Sequence, residues 1–222
     1  MKDRPLFSFE YAKLWTALVL PANPNPIPSY RYQTGNRWCI KLPFNPMLPH
    51  LPYPLHIFDI DGTLCQLDST QLMPGRLQTL KQLSAQGSQI AIATNQGGVG
   101  YRLYRQQHNK PVDTYPTEQE VVDRIAAIVQ NIGRPIPYKI AFSYYIKHHK
   151  SWTPVPPGRE QDPFWSTNYR KPNGGMLLDH MAELGFSADQ TIYIGDRPED
   201  EAAAQTAGCH FAWEHDFFPQ AP

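Results

Sequence analysis

The sequence predicts an α/β fold, a mainly parallel five-stranded sheet with helices on both faces, and three observations predict it. From residue 55 onward, short apolar runs alternate with stretches whose apolar residues recur at helical spacing, the order expected of strand–helix–strand crossovers. The short runs are apolar at nearly every position, as strands covered on both faces must be. Acidic or hydroxyl residues stand just past the carboxyl ends of three of these runs, where open α/β sheets gather their ligands.

Residues 1–54 form a proline-rich N-terminal extension, and proline removes a backbone donor and blocks long helices. Residues 29–33 and 37–41 flank Thr34, Gly35 and Asn36 and are expected to pair as a hairpin. The extension reads in three ways: an arm packed on the sheet, a small cover facing the substrate, or upstream sequence ahead of a start at Met47. Residues 55–222 form the main domain, with strands expected at 55–59, 89–93, 138–143, 191–194 and 209–213.

Between them the spacing predicts four helices. Residues 74–86 open on Pro74, space Leu77, Leu80 and Leu83 along one side, and close on Gly87, a proline-to-glycine frame that suits a crossover helix. Residues 117–132 begin with Thr117 and Glu120 in capping-box spacing and carry Val122, Ile125, Val129 and Ile132 on one face. Residues 174–184, with Met176, Leu177, Met181 and Leu184, and residues 198–207 complete the set; the Met and Leu stripe reads as core.

Lysine plus arginine and aspartate plus glutamate each number 20, a formal net charge of zero, so no global basic field recruits nucleic acid and any such surface is local. Cys39, Cys65 and Cys209 are far apart and odd in number, which fits neither a disulfide framework nor a paired-cysteine metal site. A reducing, cytoplasmic setting is expected. No apolar run approaches the ~20 residues that cross a bilayer, and the short run 14–20 follows Asp3 and Glu10, acids that export signals avoid.

The chemistry concentrates where the first strand ends. His56-Ile-Phe-Asp-Ile-Asp-Gly-Thr-Leu64 drives an apolar strand into two carboxylates one residue apart, Asp59 and Asp61, followed by a glycine turn. Such a pair can divide phosphoryl transfer between a nucleophile and a proton donor. Carboxylates and a phosphate dianion repel one another at contact, which calls for a hard divalent cation. An isolated Asp-x-Asp is usually a turn, but three more segments follow in order: Ile90-Ala-Ile-Ala-Thr-Asn-Gln96, Arg170-Lys-Pro-Asn-Gly-Gly175 and Ile192-Tyr-Ile-Gly-Asp-Arg-Pro-Glu-Asp200.

Together these four segments resemble the motifs of the haloacid dehalogenase (HAD) superfamily over roughly residues 55–215. The paired acids place the likeness in its phosphatase branch. Thr94-Asn95-Gln96 and Arg170-Lys171-Pro172 are similar to a narrower group of histidinol phosphatases, heptose bisphosphate phosphatases and polynucleotide 3'-phosphatases. The resemblance implies a Rossmann-like sheet and a magnesium-dependent phosphomonoesterase. By the same likeness Asp59 would be the nucleophile and Asp61 the general acid, then base. Asp59, Asp196 and the Asp61 carbonyl would hold Mg²⁺, Thr94, Asn95 and Lys171 would bind the phosphoryl group, and Asp200 would support the metal or the lysine. These are groups that stabilise charge on a transferring phosphoryl.

Little of the chain is left for a cap domain, so the expected cap is minimal: loops at 97–105 and 144–170. Both mix cations with rings, and Arg102, Lys147, His148 and Arg170 are the candidate substrate contacts. Such a surface suits a phosphorylated metabolite or a nucleic-acid 3'-phosphate end, although Trp152 and Trp165 could equally fold onto the sheet. His148 and His149 lack a cysteine partner for structural zinc. There is no Gly-x-x-x-x-Gly-Lys-Ser/Thr segment for an attached kinase. A binding module that kept the fold and lost turnover is the rival reading.

Overall fold

The computed structural model describes residues 53–218 and two short strands upstream, and the chain divides into two units, Met1–Phe44 and Asn45–Pro222. In the first unit β1 (Arg31–Thr34) pairs antiparallel with β2 (Arg37–Ile40), Thr34 opposite Arg37, with Gly35 and Asn36 between the paired ends. That is the expected hairpin; the arm, cover and Met47 readings fall outside the described residues.

In the second unit, β3 (Leu55–Phe58), β4 (Gln89–Asn95), β5 (Tyr138–Ala141), β8 (Thr191–Gly195) and β9 (His210–Trp213) form one sheet. The strand order is β5-β4-β3-β8-β9 with every pair parallel. The chain leaves β3 toward one edge, then returns to the other side of β3, so the order reverses between β3 and β8. Ligands of open α/β sheets bind at such a reversal.

The strands are mostly apolar because both faces are covered, with His56, Thr94, Lys139 and Thr191 as buried polar exceptions. One face packs Phe58, Ile90, Ile92, Ile192 and Ile194 against Leu80 and Leu83 of α1 (Arg76–Ala85) and Val121, Ile125, Ile128 and Ile132 of α3 (Glu118–Ile132). The other sets Leu55, Ile57, Ala91, Ala93 and Tyr193 against Met176, Leu177 and Met181 of α4 (Gly175–Leu184) and three alanines of α5 (Pro198–Ala207). Alternate strand residues point to opposite faces, and the small side chains of Ala203, Ala204 and Ala207 let α5 lie close to the sheet. A last short helix, α6 (Glu214–Phe217), brings Phe217 to the first face.

Most boundaries shift by one or two residues, and three departures are larger or bear on the site. The loop expected at 97–105 is instead largely helix, α2 (Gly98–Gln107). Its glycines lower helix propensity, but at Gly100 a Cβ would fall 2.4 Å from the Phe142 carbonyl, so the helix trades propensity for contact with the end of β5. Strand β4 runs on through Thr94 and Asn95, because both pair with β5 opposite Ile140 and Ala141. Strand β5 stops at Ala141, where the next N–H, of Phe142, turns away to donate to the Phe164 carbonyl at 2.8 Å.

The capping box read from sequence holds: Thr117 Oγ1 accepts from the Glu120 N–H at 3.2 Å and Glu120 accepts from the Thr117 N–H at 2.7 Å, whereas the helix expected to open on Pro74 starts at Arg76. The buried stripe of α3 is Val121, Ile125, Ile128 and Ile132, with Val122 and Val129 on its flank, a rotation of the predicted face. Beyond β5, a small hairpin of β6 (Tyr145–Ile146) and β7 (Ser151–Trp152) precedes a 3-10 turn at Pro163–Trp165. Trp165 is buried against Phe142, whereas Trp152 and Tyr145 are exposed. No helix among the described residues is long and apolar enough to cross a membrane.

Candidate active site

Asp59 follows β3 directly, and its N–H donates to the Ile194 carbonyl at 3.0 Å, extending the β3–β8 ladder by one residue. This sets Asp59 beside Asp196, which follows β8, while Asp200 lies in the first turn of α5. Carboxylate oxygens of Asp59, Asp196 and Asp200 lie within 4.8 Å of one another. Gly62 makes room: its φ is 87°, and a Cβ there would sit 2.1 Å from Asp196 Oδ2. No other residue type tolerates both the left-handed backbone and that contact.

Lys171 enters from the loop before α4 and is 4 % exposed. Its Nζ lies 2.9 Å from Asp59 Oδ1, 2.6 Å from Asp200 Oδ1 and 2.7 Å from the Tyr193 hydroxyl. Asn95, expected on the phosphoryl group, instead ties both ends of its amide to the lysine's backbone. Its Oδ1 accepts from the Lys171 N–H at 3.0 Å and its Nδ2 donates to the Lys171 carbonyl at 3.2 Å. The strand-end amide therefore positions the lysine. The Lys171–Pro172 peptide is cis. Asp200 is fully buried, and its second oxygen accepts from the Arg197 N–H at 3.0 Å, so both of its oxygens bond to the protein.

Asp61 is not one of this cluster of acids and has partners of its own. Arg124 of α3 grips it with Nη2 at 2.6 Å and Nη1 at 3.2 Å, and Gln96 Nε2 donates to the same carboxylate at 2.9 Å. Gln96 Nε2 also lies 3.1 Å from Thr94 Oγ1, and Thr94 is buried. Arg124 also donates to the Ser69 carbonyl at 2.9 Å, tying the loop after Asp61 to α3. Two-point contact fixes direction as well as distance.

Negative charge exceeds positive here. Lys171 is the buried cation, and Arg197, half exposed, comes only within 3.8 Å of Asp196. Burial pushes the Asp59 carboxyl up to about 6 and Asp200's charge adds to this, although Lys171 opposes it. Burial and Asp200 raise Asp196 as well. Burial would lower Lys171, but Asp59 and Asp200 outweigh it and its pKa rises. Crowded carboxylates of raised pKa, one of them part-exposed, are the donor set a hard divalent cation takes, so the residues present fit one.

A pH dependence follows. Below about 6 Asp59 carries a proton that a cation must displace, so divalent-cation affinity is expected to fall as pH drops through that value, with proton release on binding. Calorimetric titration in two buffers of different ionisation enthalpy measures both; an affinity flat across this window contradicts the assignment.

Of the substrate candidates, Arg170 sits next to the site, its guanidinium 5.1 Å over the Tyr144 ring and donating to the Ser143 carbonyl at 3.0 Å. Arg102 does not reach in: it donates to the Val112 and Tyr115 carbonyls at 2.8 and 2.6 Å and holds the 108–116 loop. Lys147 and His148 are exposed in the turn between β6 and β7. Sequence reasoning missed Arg124, the part played by Gln96, and Tyr193. One signal was available: Arg124 lies three residues after Val121 and four before Ile128, a charge on the apolar stripe of its helix.

Residues 54–217 match the family model described as polynucleotide kinase 3 phosphatase. The chain is 27% identical over 157 residues to the D-glycero-beta-D-manno-heptose-1,7-bisphosphate 7-phosphatase of Haemophilus ducreyi, covering 68% of this chain and 76% of that protein. It is 25% identical over 174 residues to the D-glycero-D-manno-heptose-1,7-bisphosphate 7-phosphatase of Thermosynechococcus vestitus, covering 72% and 78%. Among solved structures, one described as a HAD-like phosphatase from Mesorhizobium loti superposes with a TM-score of 0.53 at 19% identity, over 71% of this chain and 69% of that one. That last likeness is one of fold.

Proposed function

The chain belongs to the polynucleotide kinase 3 phosphatase family of HAD-type phosphatases, and from that premise we propose that this phosphoric monoester hydrolase works through a phosphoaspartate on Asp59 with Mg²⁺ as cofactor. The observation that carries the reading is the convergence of Asp59, Asp196, Asp200 and Lys171 at the carboxyl ends of β3 and β8. Asp59 and Asp196, with the Asp61 carbonyl, would hold Mg²⁺, whose charge screens the carboxylates from the incoming phosphate. Asp200, with both oxygens bonded to the protein, would orient Lys171 from behind.

In the first half-reaction Asp59 attacks phosphorus, the bond to the leaving oxygen breaks, and Asp61 gives that oxygen its proton. In the second, Asp61 takes a proton from water as the water attacks the phosphoaspartate, releasing phosphate and restoring Asp59. Thr94 and Lys171 would hold the phosphoryl oxygens. Arg124 and Gln96, which hold the Asp61 carboxylate, would fix its direction for that proton transfer. Free thiols at Cys65 and Cys209 support a cytoplasmic setting.

The substrate is a phosphorylated metabolite or a nucleic-acid end. A sugar phosphate is favoured by the named substrate of the curated relatives. A polynucleotide 3'-phosphate is favoured by the β6–β7 hairpin, which shows Tyr145 and Trp152 in edge contact and carries Lys147, His148, His149 and Lys150 in its turn. Rings beside cations are what single strands bind. Phosphate release from heptose bisphosphates and from 3'-phosphorylated oligonucleotides separates the two. If the hairpin holds a strand, Lys147→Glu with Lys150→Glu is expected to lower kcat/KM on the oligonucleotide by roughly tenfold at low salt, and an unchanged value excludes that contact.

A further inference from the structure

Lys171 and Asp200 have a third neighbour that the reading above does not use. Tyr193 is the middle residue of β8 and fully buried, flanked in sequence by Ile192 and Ile194. It points to the α4 and α5 face, yet its hydroxyl lies 2.7 Å from Lys171 Nζ, 3.0 Å from Asp200 Oδ1 and 3.1 Å from the Ala93 carbonyl. A buried hydroxyl is costly unless bonded. Here the ammonium donates to the phenol oxygen, and the phenol's one hydrogen goes on to Asp200 or Ala93.

An ammonium has three hydrogens. Asp200, Tyr193 and Asp59 are its three near partners, and the Ala93 carbonyl is more distant at 3.4 Å. Two of these partners, Tyr193 on β8 and Asp200 on α5, lie behind the reacting atoms; Asp59 is the proposed nucleophile itself. We infer that Tyr193 is a positioning residue for the reaction: with Asp200 it pins two N–H groups of Lys171, so that the third alone is presented at Asp59, where the phosphoryl group arrives.

The inference rests on the phosphatase reading and adds to it the means by which the lysine is aimed. Burial and the neighbouring charges of Asp59 and Asp200 raise the phenol well above its usual range, so it stays neutral and keeps its hydrogen. Lys171 Nζ already donates to the Ala93 carbonyl at 3.4 Å; without the hydroxyl that bond tightens, and the ammonium rotates off the line to Asp59.

The test is Tyr193→Phe, which keeps the buried ring and removes one oxygen. We expect kcat on a phosphomonoester to fall roughly 10- to 100-fold and the affinity for inorganic phosphate, measured by calorimetry with Mg²⁺ present, to weaken about tenfold, the size of one hydrogen bond to a charged group. In a Lys171→Met background the same substitution should leave phosphate affinity unchanged, because the lysine through which it acts is gone. A Tyr193→Phe protein within twofold of wild type in both measurements overturns the inference. So does a phosphate penalty that persists undiminished beside Lys171→Met, which would mark a purely structural role. If the wild-type protein hydrolyses no phosphomonoester, the function proposed above fails, and the phosphate-binding cycle still decides the tyrosine.

Discussion

Asp59→Asn is expected to abolish Mg²⁺-dependent hydrolysis of p-nitrophenyl phosphate, by roughly 10⁴-fold or more, while raising the melting temperature of the metal-free protein. The first effect follows because an amide cannot form the phosphoaspartate. The second follows from charge. Burial, against the pull of Lys171 and with the charge of Asp200 adding to it, lifts the Asp59 carboxyl from 3.8 to about 6. A folded-state value above the unfolded one means that Asp59 contributes stability below the unfolded value of ~3.9 and loses that contribution as pH rises through about 6. At neutral pH the charged form opposes folding by up to about 3 kcal/mol, which Asn removes, while Lys171 keeps Asp200 as its partner.

Calorimetric melting of both proteins with and without Mg²⁺, beside the assay, checks this. Wild type should gain more from the cation than Asp59→Asn does. Equal turnover in the two proteins refutes the nucleophile, and the absence of turnover in wild type favours the binding-module reading. A lower metal-free melting temperature in the variant refutes the charge argument.

Arg124→Ala should be nearly as damaging, through a different atom. Its guanidinium is part of a largely buried pair with Asp61, the two side chains 13% and 15% exposed, and breaking such a pair leaves a charge without its partner. Asp61 would keep Gln96 but lose its two-point alignment. If Asp61 protonates the leaving oxygen, poor leaving groups suffer most. An alkyl phosphate should lose roughly 10²- to 10³-fold in kcat, and p-nitrophenyl phosphate, whose phenolate leaves readily, far less. Arg124→Lys keeps the charge without the planar fork and should fall between. Equal losses on the two substrates would mean that Arg124 serves the fold and not the proton transfer.

The strands and crossover helices were legible because their signals are local. A buried parallel strand needs a largely apolar run, and β3, β4 and β8 have one; the helix after Thr117 carries its own cap. Helix α2 was not legible, since Gly98 and Gly100 read as loop and only the packing of Gly100 on Phe142 shows why they are there. Among the candidate site residues, Asp59, Asp61, Thr94 and Asp196 were legible because each stands at or just past a strand end, and Lys171 and Asp200 because each stands in a short motif. The same spacing could not show where a side chain spends its hydrogen bonds: Asn95 turns to the lysine's backbone and Arg102 to a loop.

The sequence by itself determined the fold class and the identity of the acids and the lysine, because apolar period and motif spacing are properties of neighbouring residues. The tertiary structure alone decided that Arg124 and Gln96 share Asp61 and that Tyr193 shares Lys171. Those partners are 63, 35 and 22 positions apart along the chain. They meet only through the parallel register of β3 with β4 and β8 and the packing of α3 over that sheet, a long-range arrangement that no local pattern specifies.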